Sequence, residues 1–377
     1  MATIRWWARL ELKAVYLYSS PMAFPIKGRG ASDNGEGRFE TRRVVSLDDG
    51  WWQDAEESAP ATTVRAEIAR SIISHNDSPD LPFRQSINPY RGCEHGCIYC
   101  YARPSHAYLN LSPGLDFETR LFYKANALEL LEKELSRRNY RPSPIQLGAN
   151  TDPYQPIERE LKITRGILQI LLRYRHPVTI VTKSHTVVRD LDLLSDMSKQ
   201  SLCRVMLSVT TLDEELKRSL EPRAPSPAAR LKAVTALSEA GVPVGVLASP
   251  MIPAVNDHEL ERILGAAAVA GAKSAGFILL RLPNELKDLF ENWLRTHLPL
   301  RAEHVLSRIR AMREGRLNDS QFKTRFKGIG VEAELLQKRF EVHCRRLQLD
   351  GSRLHRLDCS LFRVPPKAHD QLRLDGL

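Results

Sequence analysis

Three of the six cysteines in this 377-residue chain fall within eight residues, in the segment Gly92-Cys93-Glu94-His95-Gly96-Cys97-Ile98-Tyr99-Cys100. Soft thiolate ligands on a compact loop that contains glycines are typical of an iron–sulfur cluster. The C-x3-C-x2-C spacing supplies three local ligands and leaves one coordination position open. An open position is what a catalytic metal keeps and a structural metal closes. The segment therefore predicts a catalytic iron–sulfur cluster with Cys93, Cys97 and Cys100 as its ligands.

Three other interpretations stay open from these residues alone. A zinc site would be closed by His95, His106 or a distant cysteine. An electron-transfer cluster would be completed by Cys203, Cys344 or Cys359. The third interpretation is that the three thiols cluster by coincidence and bind no metal. Because no export signal is recognised, the cysteines are assigned to a reducing compartment, the cytoplasm, where thiols serve metals or catalysis more often than disulfides.

Short apolar runs alternate with helical patterns through the middle of the chain. The predicted strands are residues 87–90, 145–149, 178–182, 204–209, 242–248 and 274–280. The predicted helices are about 122–138, 164–174, 189–199, 227–240 and 257–270. This α/β alternation predicts six βα units with a parallel sheet, arranged as an open doubly wound sheet or an incomplete (β/α) barrel. In both arrangements, functional residues gather at the carboxyl ends of the strands.

The regions on either side of this alternation differ in composition. Residues 1–85 are predicted as an N-terminal extension followed by an irregular arm, with order beginning near Ser86. Residues 1–24 have two interpretations, a translated upstream extension with Met22 as a second start or an amphipathic targeting peptide. Residues 86–282 are predicted as the barrel, and residues 283–377 as a mainly helical, basic C-terminal extension.

Charge is distributed unevenly along the chain. The net charge is +10, and from Thr296 onward 17 Lys and Arg residues accompany 10 Asp and Glu residues. A balance of this kind favours polyanionic partners, among them nucleic acid, and a surface of solvated arginines is the alternative. No run approaches the roughly 18 consecutive apolar residues of a membrane-spanning helix, so we expect no membrane partner. A monomer is expected.

The cysteine loop, directly after a predicted strand and with Tyr99 before its last cysteine, resembles the radical S-adenosylmethionine (SAM) superfamily. The segments 101–106 and 150–156 and the Gly28-Arg29-Gly30-Ala31 motif of the arm resemble the branch that includes spore photoproduct lyase and its uncharacterised relatives. The resemblance implies a partial (β/α)6 TIM-like barrel and a [4Fe–4S] cluster whose unique iron binds SAM. It also implies reductive cleavage of SAM to a 5′-deoxyadenosyl radical, which abstracts a substrate hydrogen, and a reductant such as flavodoxin or ferredoxin.

Seven residues are expected to form the SAM site: Tyr99, Asn150, Thr151, Asp152, Lys183, Ser208 and Arg223. All but Tyr99 follow or end predicted strands. In relatives the 150–152 loop faces the methionyl amino group, although Asn-Thr-Asp-Pro is also a common turn. Lys183 matches a lysine that pairs with the methionyl carboxylate, and Ser208 matches a serine near that carboxylate or the ribose. Arg223 is able to pair with a carboxylate, and Tyr99 is expected beside the adenine.

One departure from the lyase limits the functional prediction. Spore photoproduct lyase donates hydrogen from a cysteine near its second strand, whereas residues 101–202 of this chain contain no cysteine. Tyr101, Tyr108 and Tyr154 are alternative donors, and the sequence selects no catalytic residue among them. The leading prediction is a radical SAM enzyme with an unidentified, nucleic-acid-related substrate. A DNA photoproduct lyase and a non-catalytic nucleic-acid-binding protein with a metal site are the alternatives.

Overall fold

A parallel β-sheet forms the centre of the computed structural model, which describes residues 25–35, 37–39, 60–352 and 356–366. Its strands, with those of a smaller sheet, are β1 (Thr63–Glu67), β2 (Ile73–His75), β3 (Gln85–Ile87), β4 (Tyr90–Arg91), β5 (Arg120–Lys124), β6 (Ile145–Leu147), β7 (Val178–Thr182), β8 (Cys203–Ser208), β9 (Val244–Met251) and β10 (Ser274–Leu279). The large sheet has the order β10-β9-β8-β7-β6-β3-β2. Within this sheet, the six strands β3, β6, β7, β8, β9 and β10 pair in parallel with their neighbours, and β2 pairs antiparallel with β3. The prediction of six strands in a parallel α/β sheet is confirmed.

Helices connect the successive strands and cover the sheet, and in the described chain three further helices follow the last strand. They are α1 (Asp116–Thr119), α2 (Ala127–Leu135), α3 (Glu158–Leu161), α4 (Ile163–Arg173), α5 (Leu191–Ser198), α6 (Glu214–Leu220), α7 (Pro227–Glu239), α8 (Leu260–Val269), α9 (Leu286–His297), α10 (Ala302–Ala311) and α11 (Gly330–Leu347). The sequence marks several of their ends. Helix α7, for example, begins with Pro227 after Ser226, whose side chain caps the helix by accepting from the Ala229 N–H.

The apolar core of the sheet explains why its strands could be predicted from the sequence. Ile180, Val205 and Val246 are fully buried at the centres of their strands. Neighbouring strands in register, such as Ile180 beside Val205, stack these side chains into layers. Parallel strands covered by helices are apolar nearly throughout, so short β-branched runs indicate them without knowledge of the fold.

Several boundaries of the predicted elements are wrong, among them the first strand, which was predicted at 87–90 and is β3 at Gln85–Ile87. The helix predicted for 122–138 begins only at Ala127, because residues 120–124 form β5, which pairs in parallel with β1. Order also begins before Ser86, since β1 and β2 lie within the predicted arm. Strand β1 pairs with residues more than fifty positions later, and local periodicity carries no signal for such pairing. Strand β2 pairs with the nearby β3 in a hairpin. The predicted extension or targeting segment at residues 1–24 lies outside the described residues.

The sheet curls until its two edges are linked by one segment. The Leu279 N–H at the end of β10 donates to the Phe326 carbonyl oxygen at 2.9 Å. One residue earlier, Arg325 Nε lies 2.8 Å from Asp80 Oδ2, in the hairpin that joins β2 to β3. Because β10 and β2 are the opposite edges of the sheet, this link makes the sheet an incomplete barrel. The partial (β/α)6 barrel is therefore confirmed.

Helices of the C-terminal region pack on the barrel. Phe290 and Trp293 of α9 share a buried cluster with Cys97, Ile98 and Tyr99. Helix α11 contributes Leu336 and Cys344 to the main core. The domain boundary at residue 282 stays a prediction. No helix in the described part of the chain has the length and apolar character needed to cross a membrane.

Candidate cofactor site

The cysteine-bearing loop, residues 92–100, leaves the barrel after β3 and β4. Cys93 and Cys97 are buried, Cys100 is half-buried, and all three are free thiols. The Cys93 N–H donates to the Phe117 carbonyl oxygen at 2.9 Å, and the Ile98 N–H donates to the Leu220 carbonyl oxygen at 3.0 Å. These hydrogen bonds attach the loop to two different elements, so its shape depends on the folded barrel.

Arg103 and Glu118 hold the loop from behind, and both are fully buried. The Arg103 guanidinium donates to the carbonyl oxygens of Cys97 at 2.9 Å and Gly96 at 3.2 Å, and it pairs with Glu118. Glu118 also accepts from the backbone N–H of Gly30 at 3.0 Å. An arginine offers five donors in a rigid plane, which suits it to fix several carbonyls at once.

Gly30 lies against the loop at a distance that only glycine allows. A Cβ atom on Gly30 would lie 1.8 Å from the Gly96 carbonyl oxygen. The Gly-Arg-Gly-Ala motif of the arm thus packs its backbone directly on the cysteine loop. Gln155, which follows β6, holds the other side of the loop: its amide oxygen accepts from the Glu94 N–H at 3.1 Å, and its NH2 group donates to the Gly92 carbonyl oxygen at 3.2 Å.

The thiols lie in an environment that disfavours bare thiolates. Burial raises the pKa of Cys93, and the nearby Asp152, Cys97 and Cys100 raise it further. Burial also raises the pKa of Cys97, while the positive charge of Lys183 lowers it. A cationic metal centre would offset the burial penalty, because a coordinating thiol is held deprotonated. Three free thiols in one loop therefore fit an iron–sulfur cluster.

The described residues contain no group of three or more His, Cys, Asp or Glu side chains arranged to hold one metal ion. Cysteines that hold an iron–sulfur cluster bind different iron atoms and need not converge on one point. His95 Nδ1 lies 3.4 Å from Asp152 Oδ2, and His106 Nε2 lies 3.0 Å from the Arg120 carbonyl oxygen. Each histidine thus has a partner of its own within the protein.

Lys183 follows β7 and extends over the cysteine loop. Its Nζ lies 5.6 Å from the centre of the Tyr99 ring, and within the described ranges it forms no ion pair with a carboxylate. The backbone N–H of Lys183 donates to Asp152 Oδ2 at 2.7 Å. The side chain therefore brings a positive charge, balanced by no direct partner, to the carboxyl end of the barrel beside Cys97.

The three residues after β6 have different environments. Asn150 is half-buried, and its backbone N–H donates to Asn88 Oδ1 at 2.8 Å. Thr151 is buried, and its hydroxyl donates to the Tyr90 carbonyl oxygen at 2.8 Å. Burial alone would raise the pKa of Asp152, but His95 and hydrogen bonds from Lys183 and Thr182 lower it to about 2. The Thr151 and Asp152 side chains thus join the strand ends to each other.

Tyr99 and Ser208 meet at a buried polar network centred on Glu221. The Glu221 carboxylate accepts from the Tyr99 hydroxyl, from Thr210 Oγ1 at 2.6 Å and from the Arg230 guanidinium. Arg230 also donates to the Ser208 carbonyl oxygen at 3.0 Å. The network ties the loop residue Tyr99 to the end of β8, so the ring below Lys183 is held in place.

Arg223 pairs with the cysteine loop itself. Its guanidinium donates to Glu94 Oε1 at 3.0 Å, and its backbone N–H donates to the His95 carbonyl oxygen at 3.2 Å. All seven residues expected in the SAM site thus lie on the cysteine loop, at the last residue of β8, or on the segments that follow β6, β7 and α6. Sequence reasoning assigned no role to five buried polar residues: Arg103, Glu118, Gln155, Glu221 and Arg230. Arg103 and Gln155 lie in the segments 101–106 and 150–156 that carry the family resemblance, whereas the burial of the other three is visible only after folding.

Comparisons with known proteins agree with this architecture. The family model of the Radical SAM superfamily matches residues 87–267. An uncharacterised protein of Mycobacterium tuberculosis is 39% identical over 267 residues, which cover 67% of this chain and 78% of that protein. An uncharacterised protein of Methanocaldococcus jannaschii is 33% identical over 173 residues, covering 46% of this chain and 62% of that protein.

Among solved structures, spore photoproduct lyase complexed with a dinucleoside spore photoproduct superposes with a TM-score of 0.55 at 17% identity, covering 75% of this chain and 79% of that one. At this identity the likeness shows a shared fold. The match to the family model and the mycobacterial relative show, beyond the fold, which superfamily the chain belongs to. The chain belongs to the radical SAM superfamily and is an enzyme of that class.

Proposed function

We propose that this enzyme reductively cleaves SAM at a [4Fe–4S] cluster held by Cys93, Cys97 and Cys100. The observation that carries the proposal is the three free thiols on one buried loop beside Lys183, a cation without an ion-pair partner in the described chain. When bound, the reduced cluster and SAM supply a 5′-deoxyadenosyl radical for hydrogen abstraction. The protein's own contribution is to hold the loop, orient the cofactor and exclude water.

Lys183, Ser208 and Asn150 are proposed to contact SAM. Lys183 would pair with the methionyl carboxylate, since no direct partner among the described residues compensates its charge, which lies beside Cys97. Asn150 is half-buried at the end of β6, where an amide is able to bond to the methionyl amino group. Ser208 would meet the carboxylate or the ribose. Tyr99 would flank the adenine.

Thr151, Asp152 and Arg223 are proposed as positioning residues of the same site. Their side chains already bond to the Tyr90 carbonyl, to the Lys183 backbone and to Glu94, respectively. The four remaining side chains of the predicted set are therefore better placed to bind SAM directly.

The proposed partners follow from charge and redox chemistry. The net charge of +10 supports a polyanionic partner, and we propose nucleic acid as the substrate class. An external one-electron donor such as flavodoxin or ferredoxin would reduce the cluster. All six cysteines are free thiols, which supports a reducing compartment, proposed as the cytoplasm. A monomeric state completes the proposal.

Anaerobic reconstitution followed by dithionite reduction tests the cluster assignment. The wild-type protein should bind about four iron atoms per chain and release 5′-deoxyadenosine from SAM, in assays with and without nucleic acid. Cys97→Ala should lose both properties. Cys203→Ala is the matched control, because Cys203 is a buried free thiol on β8 outside the loop. A Cys97→Ala protein that keeps its iron and brown colour would contradict the ligand assignment. A fully loaded wild-type protein that releases no 5′-deoxyadenosine would contradict the activity.

Lys183→Ala tests the proposed SAM contact. Loss of a charge-assisted bond should raise the SAM concentration for half-maximal cleavage about tenfold, with iron content unchanged. Lys199→Ala, at a side chain that is 75% exposed, serves as the control. Equal SAM dependence in the two variants would remove Lys183 from the SAM site.

DNA photoproduct repair is the second candidate, favoured by the fold shared with spore photoproduct lyase. The absence of cysteine from residues 101–202 argues against the same hydrogen donor. Incubation of the reduced holoenzyme with irradiated DNA distinguishes the two, because restored thymine is expected only from a photoproduct lyase. A protein that binds nucleic acid and iron but never turns over SAM would be the non-catalytic alternative.

A further inference from the structure

Arg281 stands at the carboxyl end of the last barrel strand, two residues after β10. In parallel barrels this end carries the substrate-binding residues. The Arg281 guanidinium lies over the Phe326 ring, 5.0 Å from its centre. Its Nε is buried without a hydrogen-bond partner, and no ion pair to this side chain occurs in the described ranges. The residue as a whole is half-buried, so its Nε–H is desolvated and unpaired while the rest of the guanidinium can still be reached from solvent.

The charged groups described around Arg281 form no ion pair with it. Asp80 is engaged by Arg325, and Asp319 accepts from Thr324 Oγ1 at 2.5 Å and from the Gln321 N–H at 2.8 Å. Arg313, which is fully buried, donates to backbone carbonyls. The cluster thus contains three guanidinium groups, those of Arg281, Arg313 and Arg325, and two carboxylates. Neither carboxylate bonds to Arg281, and the cluster has an excess of one positive charge.

The cluster borders the cysteine loop. Tyr101 directly follows Cys100 and is half exposed, and its hydroxyl donates to the Ala149 carbonyl oxygen at the end of β6. Leu280 and Leu282, on either side of Arg281 in the chain, share a buried cluster with Cys97, Ile98 and Tyr99 of the cysteine loop. Arg281 thus lies between the cofactor loop and the segment that links the edges of the barrel.

An aromatic platform lies next to the cations. The Arg325 guanidinium sits 4.8 Å from the centres of both the Phe322 and Phe326 rings. Phe322 is 55% exposed, so one face of its ring is open to a partner. Arginines interleaved with an exposed aromatic ring suit a nucleic-acid strand, because the cation binds phosphate and the ring stacks on a base.

We propose that Arg281 is a substrate-binding residue that takes a backbone phosphate of a single nucleic-acid strand, with a base stacked on Phe322. The guanidinium supplies two parallel N–H donors to one phosphate. The purpose of this binding rests on the proposed function, because the strand would be held beside the cofactor loop for hydrogen abstraction. The binding itself requires no turnover.

Binding of a fluorescein-labelled single-stranded oligonucleotide to the reconstituted full-length protein tests the proposal. Arg281→Gln should weaken binding about tenfold and reduce the slope of log K against log salt by about 0.7, the value for one phosphate contact on a single strand. Phe322→Ala should weaken binding at least fivefold without changing that slope. Substrate-free release of 5′-deoxyadenosine should stay at the wild-type rate in both variants.

Arg346→Gln is the matched control. Arg346 is exposed on α11, whose end lies near the start of β10, since the Ala275 N–H donates to the Leu349 carbonyl oxygen at 2.9 Å. It is therefore at the opposite end of the strand from Arg281. Equal binding by Arg281→Gln and Arg346→Gln would overturn the proposal, and so would full competition by inorganic phosphate with no contribution from Phe322.

The outcomes separate this inference from the proposed function. If Arg281→Gln fails to fold by circular dichroism, Phe322→Ala decides, because a surface ring is dispensable for the core. Wild-type protein that binds the strand through Arg281 yet never cleaves SAM would overturn the proposed function alone. Protein that cleaves SAM but binds the strand independently of both residues would overturn the inference alone.

Discussion

Glu221 is the buried carboxylate that Tyr99, Thr210 and Arg230 share beneath the candidate site. Its position explains how a single acid orients a ring on the cysteine loop and a cation on α7. A buried ion pair contributes little net stability, but the removal of one partner leaves a costly unpaired charge. The pair therefore acts mainly by fixing one arrangement of the site.

Glu221→Gln should lower the free energy of unfolding by about 3 kcal/mol, because the Arg230 guanidinium stays buried without a counter-charge. Urea denaturation of the two proteins measures the difference. Glu303→Gln serves as the control, since Glu303 pairs with Arg295 while 71% exposed and should cost less than about 0.5 kcal/mol. Similar losses of unfolding free energy in both variants would show that the buried Glu221–Arg230 pair matters no more for stability than an exposed ion pair.

His176 gives the stability a pH dependence. It is fully buried between the Tyr140 hydroxyl and the Pro177 carbonyl, and burial lowers its pKa to about 4. Burial lowers the pKa of His106 to about 4 as well. Between pH 6.5 and 4 the unfolded chain binds more protons than the native protein, so stability falls as the pH is lowered.

The expected loss is about 2 kcal/mol per histidine between pH 7.5 and pH 5. Denaturant unfolding of His176→Gln at both values should show a smaller pH effect than the wild type. Asp152, with a pKa lowered to about 2, changes the free energy of unfolding only below about pH 4, so it does not contribute between pH 7.5 and pH 5. An unchanged pH effect in His176→Gln would indicate that folding does not lower the pKa of this ring.

At the scale of elements, the cysteine loop depends on three separate segments. The arm supplies Gly30, α1 supplies Glu118, and the 3-10 turn after the loop supplies Arg103. None of the three carries a metal ligand. They fix the backbone on which the cysteines sit, which is the preorganisation that a metal site requires from its surroundings.

Gly30→Ala should displace the arm from the loop, because the new Cβ would fall 1.8 Å from the Gly96 carbonyl oxygen. We expect faster iron loss from the reconstituted protein when a chelator is added, several-fold relative to the wild type. Gly35→Ala on the same arm is the matched control, since a Cβ there meets nothing within 4 Å. Indistinguishable rates would mean that the arm does not support the cluster.

At the scale of the whole molecule, the incomplete barrel is closed by an ion pair between distant segments. Asp80 in the β2–β3 hairpin accepts from Arg325 Nε and from the Lys323 N–H, both at 2.8 Å. The same segment bonds to the end of β10 through Phe326. The C-terminal region therefore completes the wall that the six strands leave open.

Asp80→Asn should lower the free energy of unfolding by about 2 kcal/mol, because it removes the charge from two hydrogen bonds at the closure. Thermal or urea unfolding measures it. Asp77→Asn, an exposed neighbour in the same hairpin, should leave stability within about 0.5 kcal/mol of the wild type. Equal stability of the two variants would show that the closure contributes nothing.

The sequence by itself determined the cysteine loop, the six parallel strands and their helices, because these depend on local spacing and on apolar runs. It also placed Lys183 and Ser208 at strand ends, although their contacts with SAM stay predictions. Strand β5 was misassigned to a helix, since its partner β1 lies more than fifty residues earlier.

The tertiary structure alone decided which charges are buried together. Glu118 meets Gly30 across 88 residues, and Arg325 meets Asp80 across 245. Arg281 is set apart by its place after β10, over the Phe326 ring and next to the buried cluster that contains Cys97. A charged residue looks the same in sequence whether it is solvated or buried, because burial depends on chain segments that fold against it from far away.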